Sequence, residues 1–388
     1  MADLKASFRR LAVSIENRMD RLRRGQKEFG PLTILPYLGH GTSKMLHLKG
    51  RVVADYRVTS PLETDSGWKN LQNNFRRFHT HEIPYAKVRA CYGEMEQEFT
   101  ANDDGYFAVH MELGQAPSED QFWHDVRIEL VEDISVQATG RVLIPPTQIQ
   151  YGVISDLDDT VIKSDVVQVT KLLTNTFLRN SRTRLPFAGV AAFYHALQQG
   201  TVGGFNPIYY VTSGIWNLYD VYLDFLQIQG IPIGPIFMTD LGLSEQYLFK
   251  PGRFEHKLAV IRELLQTHPN LSFILIGDSG EKDAEIYGQV AIENPGRILA
   301  IYIRDVSQKR RDDEVKAIIE TVRESGTEIL LVEDTIAAAA HAIERGYIKP
   351  ETLSAIQQAQ RKDTPPSNPV ESLRKAAKDK SGGKDKTL

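Results

Sequence analysis

Cysteine is almost absent from this chain, with Cys91 standing alone among 388 residues. A single thiol excludes an internal disulfide, and with it the disulfide-built secreted scaffolds, and it suits a reducing compartment. Long apolar runs are missing too: no stretch reaches the roughly 18 consecutive apolar residues that a spanning helix needs. The first residues lack the apolar core and small-residue cleavage site of a secretory leader. Neither sign of charge dominates, since 46 basic and 50 acidic residues leave a formal net charge of −4, which argues against a nucleic-acid-binding protein. These absences together point to a cytoplasmic protein. What is present is 41% hydrophobic, ample for more than one core, and the length favours two domains with tails over a single unit.

The chain divides into four pieces. Residues 1–30 read as one amphipathic helix, because Leu4, Phe8, Leu11, Ile15, Met19 and Leu22 recur at spacings of three and four among arginines and lysines. Such a helix docks on its own domain, forms a homodimer seam, or makes peripheral contact with the anionic inner membrane surface. Its acids, Asp3, Glu16, Asp20 and Glu28, weaken the last of these, and the oligomeric state stays open. Residues 31–148 read as mostly β, with strands expected at Met45–Val53, Ala86–Tyr92, Glu96–Thr100, Tyr106–Leu113, Val126–Val131 and Val136–Leu143. Asn102-Asp103-Asp104-Gly105 reads as a hairpin turn, while Trp68, Leu71, Phe75 and Phe78 form a helical stripe. A sandwich-like, immunoglobulin-type domain fits this pattern, and Pro145-Pro146 marks its end. Residues 149–360 alternate strand and helix, as a doubly wound α/β sheet does. The tail, 361–388, is polar, carries Pro365, Pro366 and Pro369, and cannot bury enough surface to order itself.

Chemistry concentrates where apolar strands stop at acids. Gly152-Val153-Ile154-Ser155 runs into Asp156, Asp158 and Asp159, three carboxylates within four positions. Carboxylates this close require a cation, a shared proton or wide exposure to water. Asp156 and Asp158, two apart, point to the same side of an extended backbone, so one is placed to attack an electrophile while the other handles the proton. Leu271–Ile276 is a second buried run, ending in Gly277-Asp278-Ser279-Gly280-Glu281-Lys282-Asp283. Between them, Ile208–Thr212 ends at Ser213-Gly214, and a basic helical segment begins at Arg253 and carries Lys257. Each residue also has a plainer role. Ser213 is able to cap a helix, Lys257 to lie on a solvated face with Lys250 competing for its role, and Asp283 to offset a helix dipole. Arg304-Asp305 is able to form a surface ion pair, and the roles of Asp159 and Asp165 stay undecided.

The order strand–DxD, strand–Ser, helical Lys, strand–GDxxxxD resembles the four motifs of the haloacid dehalogenase superfamily of phosphotransferases. Ser155-Asp156-Leu157-Asp158-Asp159-Thr160-Val161-Ile162-Lys163, His256-Lys257 and Gly277 through Asp283 further resemble the phosphatidate phosphatases of the actin-patch-protein type, as a bacterial relative would. Arg304-Asp305 fits the same pattern, and the likeness covers roughly Ile149 to Val306. It implies a Rossmann-like domain and a Mg2+-dependent phosphatase that acts through an aspartyl-phosphate. Asp156 is then the nucleophile and Asp158 the general acid and base. Ser213 and Gly214 bind the phosphoryl group and Lys257 neutralises it. Asp156, the Asp158 carbonyl, Asp278 and Asp283 hold or orient the metal.

The same resemblance bears on the substrate. Superfamily members acting on small metabolites carry a sizeable cap domain, whereas here the gap from Asp156 to Ser213 has room for one or two helices, such as Lys171–Asn180. An open or lightly lidded site suits a phosphate on something large, and phosphatidate or a related phospholipid is the expected substrate. Ile215, Trp216 and Leu218 beside Ser213 are compatible with acyl chains, although packing of the following helix accounts for them as well. Two other functions stay open: a phosphatase of the same fold acting on a soluble or protein phosphoester, and a non-catalytic phosphatidate-binding module.

Overall fold

The computed structural model describes residues 31–54, 81–157, 188–239, 253–305, 312–324 and 326–363. The helix expected at 1–30, the Trp68–Phe78 stripe, Asp158, Asp159, Asp165, the helix expected at 171–180, Lys250 and the tail beyond Asp363 lie outside those residues. Among the described residues, no helix is long and apolar enough to cross a membrane.

The architecture is mixed α/β, with one parallel sheet and one largely antiparallel sheet. Nine strands precede residue 144: β1 (Leu32–Pro36), β2 (Gly39–Gly41), β3 (Met45–Ala54), β4 (His81–Glu82), β5 (Lys87–Tyr92), β6 (Met95–Thr100), β7 (Tyr106–Glu112), β8 (Trp123–Leu130) and β9 (Asp133–Leu143). The six strands expected from alternation all form, within a few residues of their expected ends. The alternation has a direct cause, since Leu46, Leu48, Val88, Ala90, Phe107, Val109, Val126 and Ile128 turn inward to one shared core. Each such large aliphatic or aromatic side chain, fully buried, contributes about 1.5–3 kcal/mol. β1 and β2 had no strand expected before Met45, because they are short and broken by Pro36 and two glycines. They form through pairing: β1 and β2 run antiparallel to β3, and β2 runs parallel to β9, so the hydrogen bonds close into a single nine-stranded sheet. Asn102–Gly105 makes the expected turn, with the Asn102 carboxamide accepting from the N–H groups of Asp104 and Tyr106. Gly105 sits there at φ +75°, where a Cβ would meet the Val52 carbonyl oxygen at 2.7 Å.

The parallel sheet has the order β12-β11-β10-β13-β14-β15. Its strands are β10 (Gly152–Asp156), β11 (Ile208–Ile215), β12 (Ile236–Thr239), β13 (Phe273–Asp278), β14 (Ile298–Arg304) and β15 (Glu328–Val332). The helices are α1 (Val190–Gln199), α2 (Tyr219–Ile228), α3 (Arg253–Thr267), α4 (Asp283–Glu293), α5 (Asp312–Glu324), α6 (Thr335–Glu344) and α7 (Thr352–Asp363). Alternate strand residues feed two cores. Val153, Ile208, Tyr210 and Ile274 pack against α1, α2, α6 and α7 on one face. Ile154, Tyr209, Val211 and Leu275 pack against α3, α4 and α5 on the other. α7 runs three residues into the segment assigned above to the tail, because the Asp363 carboxylate accepts the Gly189 N–H that opens α1, at 2.8 Å.

The two sheets meet through aromatic rings. Tyr37, just past β1, stacks on Trp216 with centroids 4.8 Å apart, and the Leu38 N–H donates to the Tyr219 hydroxyl at 2.7 Å. Phe122 stacks on Phe205 at 4.0 Å. Trp216 and Leu218 are buried, so they join the sheets and pack α2 rather than forming an apolar lip. Beside this seam His40, His47 and His110 stand in register across β2, β3 and β7, with the His47 and His110 Nδ1 atoms 2.7 Å apart. The His40 ring leans on Phe237 of β12, and His268 pairs with the Tyr209 hydroxyl at 3.0 Å.

Burial, and then the neighbouring His110, pulls His47 from 6.5 down to about 4, and burial does the same to His268. Folded-state pKa values below the unfolded one mean that the unfolded chain binds more protons, so this contribution to stability is intact above pH about 6.5 and lost as pH falls through about 4. His47→Gln should therefore flatten the acid-side fall in the urea unfolding midpoint relative to the parent chain between pH about 7 and about 5. Parallel profiles for the two proteins would show that His47 does not couple stability to pH.

Candidate active site

In a sheet of this order the chain leaves β10 toward β11 and β12, then returns to build β13, β14 and β15 on the other side. Such a reversal lies beyond the carboxyl ends of β10 and β13, and it is at that position that open α/β sheets bind ligands. Asp156 is the last residue of β10 and Asp278 the last of β13, and the register that pairs Ser155 with Ile276 sets both acids at that end. β13 in turn pairs Asp278 with Arg304, the last residue of β14.

Side-chain alternation decides which face each residue serves. Ser155 follows Val153 toward α1, where its hydroxyl meets that of Tyr194 at 2.7 Å. Asp156 follows Ile154 toward α3 and α4. On α3, Lys257 shares a stripe with Ile261, Leu264 and Leu265, a core position occupied by a cation. The Lys257 ammonium lies 2.7 Å from Asp156 Oδ1, 2.7 Å from Glu281 Oε2 and 3.0 Å from Asp283 Oδ1. Lys257 is only 2% exposed, so a solvated face is excluded for it. Asp283 is an acid in the first turn of α4, as expected for a residue that offsets the helix dipole, but it is fully buried and its other oxygen accepts the Asp278 N–H at 3.0 Å. Gly277 makes this possible, since a Cβ there would lie 2.4 Å from Asp283 Oδ2.

Ser213 lies inside β11, which continues to Ile215 because Ile215 pairs with Thr239 at the sheet edge. It caps no helix: the turn at Trp216–Leu218 and α2 both begin without a side-chain cap. Its hydroxyl is buried and has no hydrogen-bond partner among the described residues. The Gly214 N–H is taken by Thr212 Oγ1 at 3.0 Å, and a Cβ on Gly214 would meet the Tyr222 hydroxyl at 2.8 Å. Asp278 Oδ1 accepts from the N–H groups of Gly280 and Glu281, which shapes the loop into α4. Asp158 lies outside the described residues.

Glu281 received no role from the sequence, although it stands inside the second acidic motif. The structure brings it to Lys257, and one oxygen each of Asp156, Glu281 and Asp283 falls within 4.8 Å of the others. One ammonium therefore faces three carboxylates. Burial, then the Asp283 charge, pushes the Asp156 carboxyl well up despite Lys257, and burial lifts Asp283 to about 6. Burial works to lower Lys257, but Asp156, Asp283 and Glu281 outweigh it and hold the ammonium above its ordinary range. The cluster is all oxygen and carries more negative charge than Lys257 balances, which is the donor chemistry a hard divalent cation takes.

Because Asp156 and Asp283 hold protons more tightly folded than unfolded, this pair's contribution to stability is greatest below pH about 4 and is lost as pH rises through about 6. Lys257→Met should sharpen that dependence. It leaves buried carboxylates uncompensated, costing about 3–5 kcal/mol at neutral pH, and acidification should restore much of the loss by protonating them. Urea midpoints of parent and variant in chelator, from pH about 4 to about 8, test this. A loss that stays the same at every pH would assign Lys257 a packing role instead.

Residues 151–305 match the family described as the catalytic domain of phosphatidate phosphatase APP1. The chain is 28% identical to phosphatidate phosphatase APP1 of Saccharomyces cerevisiae over 232 residues, which is 59% of this chain and 38% of that protein. It is 26% identical to an uncharacterized protein of Schizosaccharomyces pombe over 209 residues, 54% of this chain and 32% of that one. The chain thus spans about a third of the length of these relatives. A carbohydrate acetylesterase from Xanthomonas citri aligns in structure over 74% of this chain and 72% of its own, at 11% identity and a TM-score of 0.25, too slight a likeness to argue from. Asp156, Ser213, Lys257, Asp278 and Asp283 all fall within the stretch, residues 151–305, that is similar to the APP1 catalytic domain.

Proposed function

We propose that this protein is a Mg2+-dependent phosphatase that hydrolyses phosphatidate to diacylglycerol through an aspartyl-phosphate. The observation that carries this is the buried ion pair of 2.7 Å between Asp156 and Lys257 at the carboxyl end of β10. It sets a carboxylate nucleophile against the cation that a phosphoryl group needs. The strand order, with β10 central and the chain winding outward on either side, supports the doubly wound, Rossmann-like haloacid dehalogenase arrangement. The family match over 151–305 supports the phosphatidate substrate.

In this mechanism Asp156 attacks phosphorus, the P–O bond to the glycerol oxygen breaks, and Asp158 protonates the departing alkoxide. Asp158 then takes a proton from the water that cleaves the aspartyl-phosphate and releases inorganic phosphate. The hydroxyl of Ser213, which has no hydrogen-bond partner among the described residues, donates to a phosphoryl oxygen, and Lys257 offsets the charge on phosphate and nucleophile together. Lys257 already holds the centre of the Asp156–Glu281–Asp283 triad. Mg2+ would therefore be held by Asp156, the Asp158 carbonyl and Asp278, with Asp283 orienting them from behind. Bound there, it supplies Lewis-acid polarisation of the phosphoryl oxygens. A cation beside Asp156 also counters the burial that favours its protonated form, keeping the nucleophile ionised.

Phosphate release from phosphatidate in mixed micelles and from soluble phosphoesters, with Mg2+ and with chelator, tests the whole reading. Asp156→Asn should abolish turnover with the fold intact, because an amide does not attack phosphorus, and EDTA should do the same to the parent chain. Near-parental activity in either case would exclude the mechanism, and preference for a soluble ester without micelle dependence would exclude phosphatidate.

Asp158→Asn gives a graded result. Removing the general acid should reduce turnover by about 100- to 10,000-fold for an alkoxide leaving group, and by much less for an activated aryl phosphate that departs without a proton. Equal losses on the two substrates would remove Asp158 from that role.

A further inference from the structure

An ammonium has three N–H donors, and those of Lys257 face three carboxylates at 2.7, 2.7 and 3.0 Å. If Lys257 is to bind a phosphoryl oxygen, one of those carboxylates has to yield its place. Asp283 is fully buried, holds the Asp278 N–H with its second oxygen, and is pressed against Gly277. Asp156 is the strand-borne nucleophile, its side chain 4% exposed. Glu281 is different in both respects. It stands on the loop between β13 and α4, and its side chain is 24% exposed, with the longest and most adjustable reach of the three.

We infer that Glu281 is a positioning residue whose carboxylate occupies, in the resting site, the place on Lys257 that a phosphoryl oxygen takes when substrate binds. This rests on the phosphatase reading and extends it. A carboxylate oxygen and a phosphoryl oxygen are both anionic acceptors, and they meet an ammonium at the same distance. Glu281 keeps Lys257 fully compensated and aimed at Asp156 between turnovers. When substrate arrives, it swings outward on its own side chain. When only inorganic phosphate remains, its return competes for Lys257 and speeds release of a dianion that the buried ammonium would otherwise retain.

The test compares the parent chain with Glu281→Gln and Glu281→Asp, using inorganic phosphate as probe in two measurements. One is its inhibition constant against a soluble aryl phosphate in saturating Mg2+, read together with KM and kcat. The other is calorimetric titration of phosphate into each protein, which needs no turnover. Glu281→Gln should bind phosphate about tenfold more tightly, the worth of one displaced charge-assisted contact, with KM falling in step. Glu281→Asp keeps the charge but withdraws it by one methylene, so direct occupation predicts tighter phosphate there as well. General damage to the site would weaken phosphate in both variants. Unchanged or weaker binding in Glu281→Gln overturns the inference, as does tightening in Glu281→Gln alone, which would mean long-range repulsion without contact. A parent enzyme that hydrolyses esters while the variants bind phosphate as it does removes only the role of Glu281. A parent that hydrolyses nothing removes the phosphatase reading, and calorimetry still decides whether Glu281 competes with phosphate.

Discussion

One buried positive charge organises the carboxyl end of the parallel sheet. Moving an ammonium out of water costs several kcal/mol even after relaxation, so Lys257 stays ionised at a core position of α3 because carboxylates surround it. The dependence is mutual: without Lys257, burial would drive Asp156 and Asp283 toward their neutral forms. Three elements from distant parts of the chain meet at that one nitrogen, β10, α3 and the start of α4. Gly277 is held to glycine by the same requirement, because any side chain there would displace Asp283.

The cluster holds more negative charge than one ammonium balances, and that imbalance links stability to chemistry. A protein selected for stability alone would do better with apolar residues of similar volume at these positions. Concentrating carboxylates at a strand end, beside a buried serine hydroxyl that has no partner among the described residues, is the arrangement on which the proposed phosphatase chemistry rests. The helix carrying Lys257 is anchored by Leu258, Ile261, Leu264 and Leu265 in the core beneath, so the ammonium is positioned before any ligand arrives.

The second sheet is tied to the first by rings as well as by chain connection. Tyr37 on Trp216, the Leu38 N–H on the Tyr219 hydroxyl, and Phe122 on Phe205 join β-sheet loops to the segments around β11. Trp216 follows Ser213 by three residues, so the same rings that join the sheets also brace the strand that presents the Ser213 hydroxyl. Aromatic pairs of this kind contribute about 0.5–1.5 kcal/mol beyond the area they bury.

Much of this was written in the sequence. Strands of β-branched residues stopping at acids marked Asp156 and Asp278, because a buried run has to end where charge begins. The order of four short motifs singled out Ser213, Lys257 and Asp283, and turn chemistry marked Asn102–Gly105. Those signals are local: periodicity, turn residues and runs are properties of neighbours along the chain. What required the tertiary structure is long-range. The strand order that sets β10 beside β13, the pairing that makes strands of Leu32–Pro36 and Gly39–Gly41, and the Tyr37–Trp216 stack leave no local pattern. Glu281 is the clearest case. It sat in plain view within a recognised motif, but its part depends on reaching an ammonium 24 residues away in sequence, and an electrostatic partnership is decided by distance in space rather than by position along the chain.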